Sequence, residues 1–120
     1  MATHNDTGKN GEELAKAHLR QNGYEILETN FRYRKAEIDI IARKNDSLAV
    51  VEVKTRSSDT YGAPELFVDR KKIRLILEAA NAYIVQNNLD IEISLDIISV
   101  LLIPEIRIEH IKNAYLPFNR

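Results

Sequence analysis

The stretch AEIDIIARKNDSLAVVEVKTR, residues 36–56, carries two acids and a lysine at a spacing that suits work on a phosphate ester. Side chains alternate between the two faces of a strand. In the first half, Glu37, Asp39 and Ile41 are therefore expected on one face and Ile38, Ile40 and Ala42 on the other. In the second half, Val50, Glu52 and Lys54 share a face, opposite Ala49, Val51 and Val53. A symmetric turn centred on Asn45-Asp46 sets Asp39 directly across from Glu52, and Glu37 across from Lys54. Cross-strand partners have Cβ atoms roughly 4.5–5.5 Å apart, and like charges placed there destabilise a sheet. A hard divalent cation between Asp39 and Glu52 would relieve that repulsion, and magnesium is typically held by one or two carboxylates plus water and substrate phosphates. Such an ion polarises a phosphodiester and activates a water. Lys54, one pleat on, is positioned to orient that water or to offset charge developing on the phosphate. The same residues also fit a hairpin of solvated charges supported by a Glu37–Lys54 pair. Apolar residues on both faces favour central strands over an edge hairpin.

The elements that position these side chains follow from periodicity. Residues 1–7 read as a flexible tail. Leu14, Ala15, His18 and Leu19 recur at helical spacing over about 10–22, with Gly23 as the terminator. Strands are expected at about 24–31, 36–43 and 48–54, with Lys44-Asn45-Asp46 as turn chemistry. A loop is expected from Thr55 to Glu65, containing Gly62 and Pro64. A second helix from an N-cap at Asp69 to about Asn87 carries Ile73, Ile76, Leu77, Ala80, Tyr83 and Ile84 on one stripe. Strands at 91–102 and about 106–111 complete the order α-β-β-β-α-β-β, an α/β sandwich with a mixed sheet.

Helical spacing separates neighbouring charges. Glu12 falls on the inward stripe of Ala15 and Leu19, whereas Glu13 goes outward with Lys16, Ala17 and Arg20. Glu12 is thus a candidate third metal ligand, or an acid favourable at the positive end of the helix. Lys72 shares a stripe with Ile76, Ala79 and Tyr83; it is expected to reach the site or a phosphate, or to lie along apolar neighbours. His4, His18 and His110 are scattered and expected to be structural or exposed. There is no nucleophile elbow, phosphate-binding glycine loop or dinucleotide fingerprint.

Composition sets the bounds. The 120 residues suffice for one domain with its own core. The absence of cysteine excludes disulfides, zinc–thiolate centres and thiol nucleophiles. The polar N-terminus MATHNDTGKNGEE has no secretory h-region, so a cytoplasmic location is expected. The net charge of −1 argues mildly against a nucleic-acid partner, but residues 32–74 hold eleven Lys/Arg against seven Asp/Glu. That basic middle suits phosphate contact, with Arg34 and Lys71 among its candidate residues.

An acid followed by Glu-x-Lys on a strand resembles the PD-(D/E)XK nuclease signature. The segments NGEELAKAHLRQNGYEILETNFRYR, AEIDIIAR, VVEVKTR, YGAPELFVDRKKIR, LDIISV and IKNAY are, in order and spacing, similar to the YraN-like family (UPF0102). Its members are predicted endonucleases related to archaeal Holliday-junction resolvases. The similarity covers about residues 8–118. It implies a restriction-endonuclease-like three-layer core and a Mg²⁺- or Mn²⁺-dependent endonuclease acting on DNA, structure-selective and favouring a homodimer. It implies that Asp39 and Glu52 bind metal, that the Val53 carbonyl completes the metal shell and that Lys54 is catalytic. Glu12 matches the first-helix acid, Lys72 the second-helix base and Arg56 the arginine after the Glu-Val-Lys core. Ala36 replaces a usual glycine, and Ser94-Leu95 stands where Arg-Phe is common. The alternative is a non-catalytic nucleic-acid-binding or assembly module that retains the fold.

Overall fold

Alternation of apolar residues over 36–58 and 92–103 builds the middle of a five-stranded sheet, and two amphipathic helices cover it. The computed structural model describes residues 4–58 and 70–114, with side chains from residue 9 onward. The elements are α1 (His4–Gln21), β1 (Glu25–Tyr33), β2 (Ala36–Lys44), β3 (Ser47–Ser58), α2 (Arg70–Gln86), β4 (Glu92–Ile103) and β5 (Arg107–Ile111). The sheet order is β1-β2-β3-β4-β5. Only β3 and β4 are parallel, as the crossover through α2 allows; the other neighbours are antiparallel. The expected order and mixed α/β sheet are therefore both present.

Each helix faces its own core. Ala15 and Leu19 of α1 pack with Ile40, Ala42, Ala49, Val51, Ile98 and Val100 on one side of the sheet. On the other side Ile76, Ala79, Ala80 and Tyr83 of α2 pack with Ile38, Ile41, Leu48 and Val50. The result is three layers, helix–sheet–helix, in the restriction-endonuclease-like layout. No described helix is long and apolar enough to cross a membrane.

Several boundaries differ from the periodicity. Helix α1 begins at His4, within the stretch expected to be tail. Strand β3 continues to Ser58, so Thr55 and Arg56 lie in a strand where a loop was expected. The cause is the parallel ladder: Thr55 pairs with Val100, Arg56 with Leu101 and Ser58 with Ile103. A long partner strand supplies hydrogen bonds that a local pattern does not reveal. The Gly62 and Pro64 positions and the Asp69 N-cap lie outside the described residues.

Two local features hold the frame in place. Gly23 ends α1 at φ 88°, with the Gly23 and Tyr24 N–H groups returning to the Arg20 and Leu19 carbonyls. At the far edge, Asp96 is 1% exposed and gathers β4, β5 and the following turn. Its carboxylate lies 2.7 Å from His110 Nε2, accepts the Asn113 N–H at 3.1 Å, and bonds the Ser94 hydroxyl. His110 is thereby a partner of this buried acid, and Ser94 contributes a hydroxyl to it.

Candidate active site

The β2–β3 hairpin closes through a two-residue turn, with Lys44 paired to Ser47 and Asn45 left-handed at φ 55°. Its register runs Ile40↔Val51, Ile41↔Val50, Ala42↔Ala49, as the Asn45-Asp46 centre predicts. The ladder stops at Ile40↔Val51. One step beyond, the Val53 N–H donates at 2.8 Å to Asp39 Oδ2 instead of to a backbone carbonyl. The two strands part here, and the Asp39 carboxylate sits in the fork.

That fork corrects two expectations. Ile38 packs with Ile41 beneath α2, while Ile40 packs beneath α1. Strict alternation, which would group Ile38 with Ile40, therefore breaks at Asp39. The expected Glu37–Lys54 pair is also absent among the described residues. Glu37 instead pairs with Arg32 across β1 and β2, its Oε2 3.1 Å from Arg32 Nη2.

Glu52 and Lys54 share the α2 side, as alternation along β3 requires. Glu52 is mostly buried at the side chain, with Lys72 Nζ 2.7 Å and Lys54 Nζ 3.7 Å from Oε1. Lys72 thus arrives from the first turn of α2 onto a candidate metal ligand rather than pointing toward an open phosphate site. Asp39, Glu52, Lys72, Glu37, Lys35 and Ile76 line a cleft of about 290 Å³ between the sheet and α2. Burial pushes the Asp39 carboxyl up to about 6, against the Val53 hydrogen bond, which lowers it; the charges of Glu52, Glu12 and Glu37 add to the rise. Three other acids therefore act on Asp39 at the fork.

Glu12 comes to this fork from α1. Its Oε1 accepts the Asn30 side-chain N–H at 3.1 Å, whereas Glu13 turns outward to Lys16 at 2.8 Å. The helix can approach so closely because Gly11 faces β3: a Cβ at Gly11 would overlap the Thr55 side chain. Neither Gly11 nor Asn30 stands out in the sequence, since their roles depend on which strand α1 crosses.

The remaining candidates are dispersed. Arg56 follows Lys54 along β3, with Nε and Nη1 buried and without a hydrogen-bond partner among the described residues. Arg34 is left-handed in the β1–β2 turn and lies over the Tyr33 ring at 5.2 Å, away from the cleft. Lys71 is exposed on α2. Val53 packs toward α1 and pairs with Ile98 in the β3–β4 ladder.

The donor set suits a two-carboxylate magnesium or manganese site better than an all-protein cage. No three His, Asp or Glu side chains among the described residues form a metal-holding group. Asp39 Oδ2 is used by Val53, and Oδ1 has no hydrogen-bond partner among the described residues. Magnesium keeps several waters and takes only one or two carboxylates, so Asp39 and Glu52 fit it.

A mixed five-stranded sheet between two helices has the three-layer layout of a restriction-endonuclease-like core. The profile of the uncharacterised protein family UPF0102 matches residues 11–100. A UPF0102 protein of Flavobacterium psychrophilum is 51% identical over 119 residues, spanning 98% of this chain and 100% of the relative. One from Christiangramia forsetii is 47% identical over 119 residues, with coverage of 98% and 100%. A relative from Persephonella marina is 44% identical over 109 residues, covering 90% of this chain and 91% of its own. The chain belongs to UPF0102, the YraN-like family.

Proposed function

We propose that this protein is a Mg²⁺- or Mn²⁺-dependent endonuclease that hydrolyses DNA phosphodiesters, with a structure-selective, resolvase-like preference. The observation that carries this reading is the convergence of Asp39 and Glu52 with Lys54 where β2 and β3 part. A magnesium or manganese ion, when bound, supplies the Lewis acidity that polarises the phosphate and activates water. Asp39 and Glu52 would hold it, joined by the Val53 carbonyl and with Glu12 as a further carboxylate nearby. Lys54, whose Nζ lies 3.7 Å from Glu52 Oε1, would donate to the attacking water or to a phosphate oxygen. Arg56 brings two buried guanidinium nitrogens, Nε and Nη1, without a partner among the described residues, the kind of group a phosphate satisfies. Lys72 adds positive charge at the cleft, and Lys71 and Arg34 add it on the surrounding surface. A two-fold dimer would present two such sites to two strands.

Manganese titration by calorimetry, followed by addition of branched and linear DNA, tests the reading. Wild type is expected to bind the ion and cleave; Asp39→Ala/Glu52→Ala is expected to do neither while remaining folded. Cleavage by the double variant overturns the assignment.

A second reading keeps the fold as a nucleic-acid-binding or assembly module that does not cut. Lys72 seated on Glu52 and the absence of a three-acid metal group among the described residues favour it. It predicts salt-dependent DNA binding without any carboxylate-dependent metal uptake.

A further inference from the structure

Asn30 is an anomaly in β1. It lies inside the strand, yet its backbone is left-handed at φ 52°. The other left-handed non-glycine residues, Arg34, Asn45, Asn88 and Asn113, sit outside the strands in turns. Thr29 pairs with Ile40 and Phe31 with Ile38, so the rung between them is skipped on both strands. The residues on that rung are Asn30 and Asp39. A left-handed residue within a strand is unfavourable for any side chain, and glycine adopts it with least strain. Asparagine is among the few others that tolerate it. Its side chain is exposed and contributes little to the core, so packing does not account for it.

The amide does have a use. Asn30 Nδ2 donates to Glu12 Oε1 at 3.1 Å, joining β1 to α1 across the mouth of the fork. Glu12 has no cationic partner among the described residues, and its bond to Asn30 sets it beside the residue that lies across the skipped rung from Asp39. A carboxylate on a half-exposed helix face samples several rotamers unless a donor holds it.

We infer that Asn30 is a positioning residue, whose left-handed kink aims its amide at Glu12 and holds that carboxylate toward Asp39 for the divalent ion. The inference rests on the metal-dependent reading above. The kink explains why the skipped rung coincides with Asp39: it turns the Asn30 side chain to α1 at the one level of the sheet where the acids meet.

Asn30→Gly separates backbone from amide, because glycine accepts the same φ. Manganese affinity is measured by calorimetry for wild type, Asn30→Gly, Glu12→Gln and the double variant, with thermal unfolding of each recorded without metal. Asn30→Gly is expected to unfold within a few degrees of wild type and to bind manganese about tenfold more weakly. The double variant is expected to bind no more weakly than Glu12→Gln alone, since both changes remove one arrangement. Equal affinity of Asn30→Gly and wild type overturns the inference while leaving the metal site intact. Additive losses in the double variant also overturn it, because Asn30 then acts apart from Glu12. Absence of manganese binding by wild type overturns the metal-dependent reading and this inference with it. If Asn30→Gly unfolds early, Asn30→Ser, which shortens the side chain and withdraws the amide, replaces it in the same cycle.

Discussion

Asp39 Oδ2 accepts the Val53 N–H at 2.8 Å, so the carboxylate at the fork is tied to the residue between Glu52 and Lys54. That bond orients Asp39 at the cleft it lines. It also links the two halves of the site: a shift of β3 past β2 would move Glu52 and Lys54 and release Asp39 together. The bond favours the charged carboxylate, but burial outweighs it.

The raised Asp39 pKa makes a pH prediction whose sign is opposite to that of a paired surface acid. The folded protein holds this proton more tightly than the unfolded chain, from the ordinary 3.8 up to about 6. The contribution of Asp39 to stability is therefore greatest below about pH 4 and declines as pH rises to about 6. Above that pH a constant penalty remains, at most about 3 kcal/mol at 1.36 kcal/mol per pKa unit. Asp39→Asn keeps an acceptor for Val53 and removes the charge. In metal-free buffer it is expected to melt higher than wild type at pH 8 and close to wild type at pH 4. Thermal unfolding at both pH values checks this; a variant less stable at pH 8 would contradict it.

Lys72 offers a different test. Its ammonium lies 2.7 Å from Glu52 Oε1, but half its side chain is exposed, so the pair is screened by solvent and its loss should change stability by under about 1 kcal/mol. A cation there competes with a divalent ion for the same carboxylate. Lys72→Met is expected to tighten manganese binding several-fold in the absence of DNA and to weaken DNA binding at low salt. Calorimetry and a salt titration of DNA binding measure the two effects, and weaker manganese binding would argue against competition.

Gly11 sets the distance between α1 and β3. Helix propensity alone favours alanine over glycine by about 1 kcal/mol. The Thr55 side chain would collide with the new methyl group, and overpacking of this kind costs about 1–3 kcal/mol. Gly11→Ala is therefore expected to lower stability despite the better propensity, and Thr55→Ala in the same chain is expected to restore most of it. Denaturant unfolding of the four proteins in the cycle measures the coupling.

The Asp96 cluster makes a prediction about stability. Asp96→Ala leaves His110, Ser94 and the Asn113 N–H without their shared acceptor between β4 and β5. A loss of about 1–3 kcal/mol is expected, as for buried donors left without an acceptor. Amide exchange in β5 and at Ala114, whose N–H donates to the Leu95 carbonyl at 2.8 Å, is expected to speed up first. Unchanged protection of β5 would mean that the edge is held by its ladder alone.

The β2–β3 hairpin was legible because its information is local. Asn45-Asp46 is good turn chemistry, and period-2 alternation leaves one register that buries Ile40, Ala42, Ala49 and Val51 together. Glu12 was legible as inward from its spacing with Ala15 and Leu19, and Lys72 from its spacing with Ile76 and Tyr83. The break at Asp39 was not legible, since a strand's own pattern does not say where its neighbour will part from it. Asn30 was missed for the same reason: nothing in Thr29-Asn30-Phe31 announces a skipped rung.

From the chain alone came the order of elements, the turn that pairs β2 with β3, the inward face of each helix and the residues proposed to bear chemistry. Those follow from short-range periodicity and steric preference, which act within a few residues. Tertiary structure alone decided that Lys72 rests on Glu52, that Glu37 turns to Arg32, that Asn30 reaches Glu12 and that Asp96 joins His110. Each of those contacts depends on where separate elements cross, and packing against a common sheet is what brings them within hydrogen-bond reach.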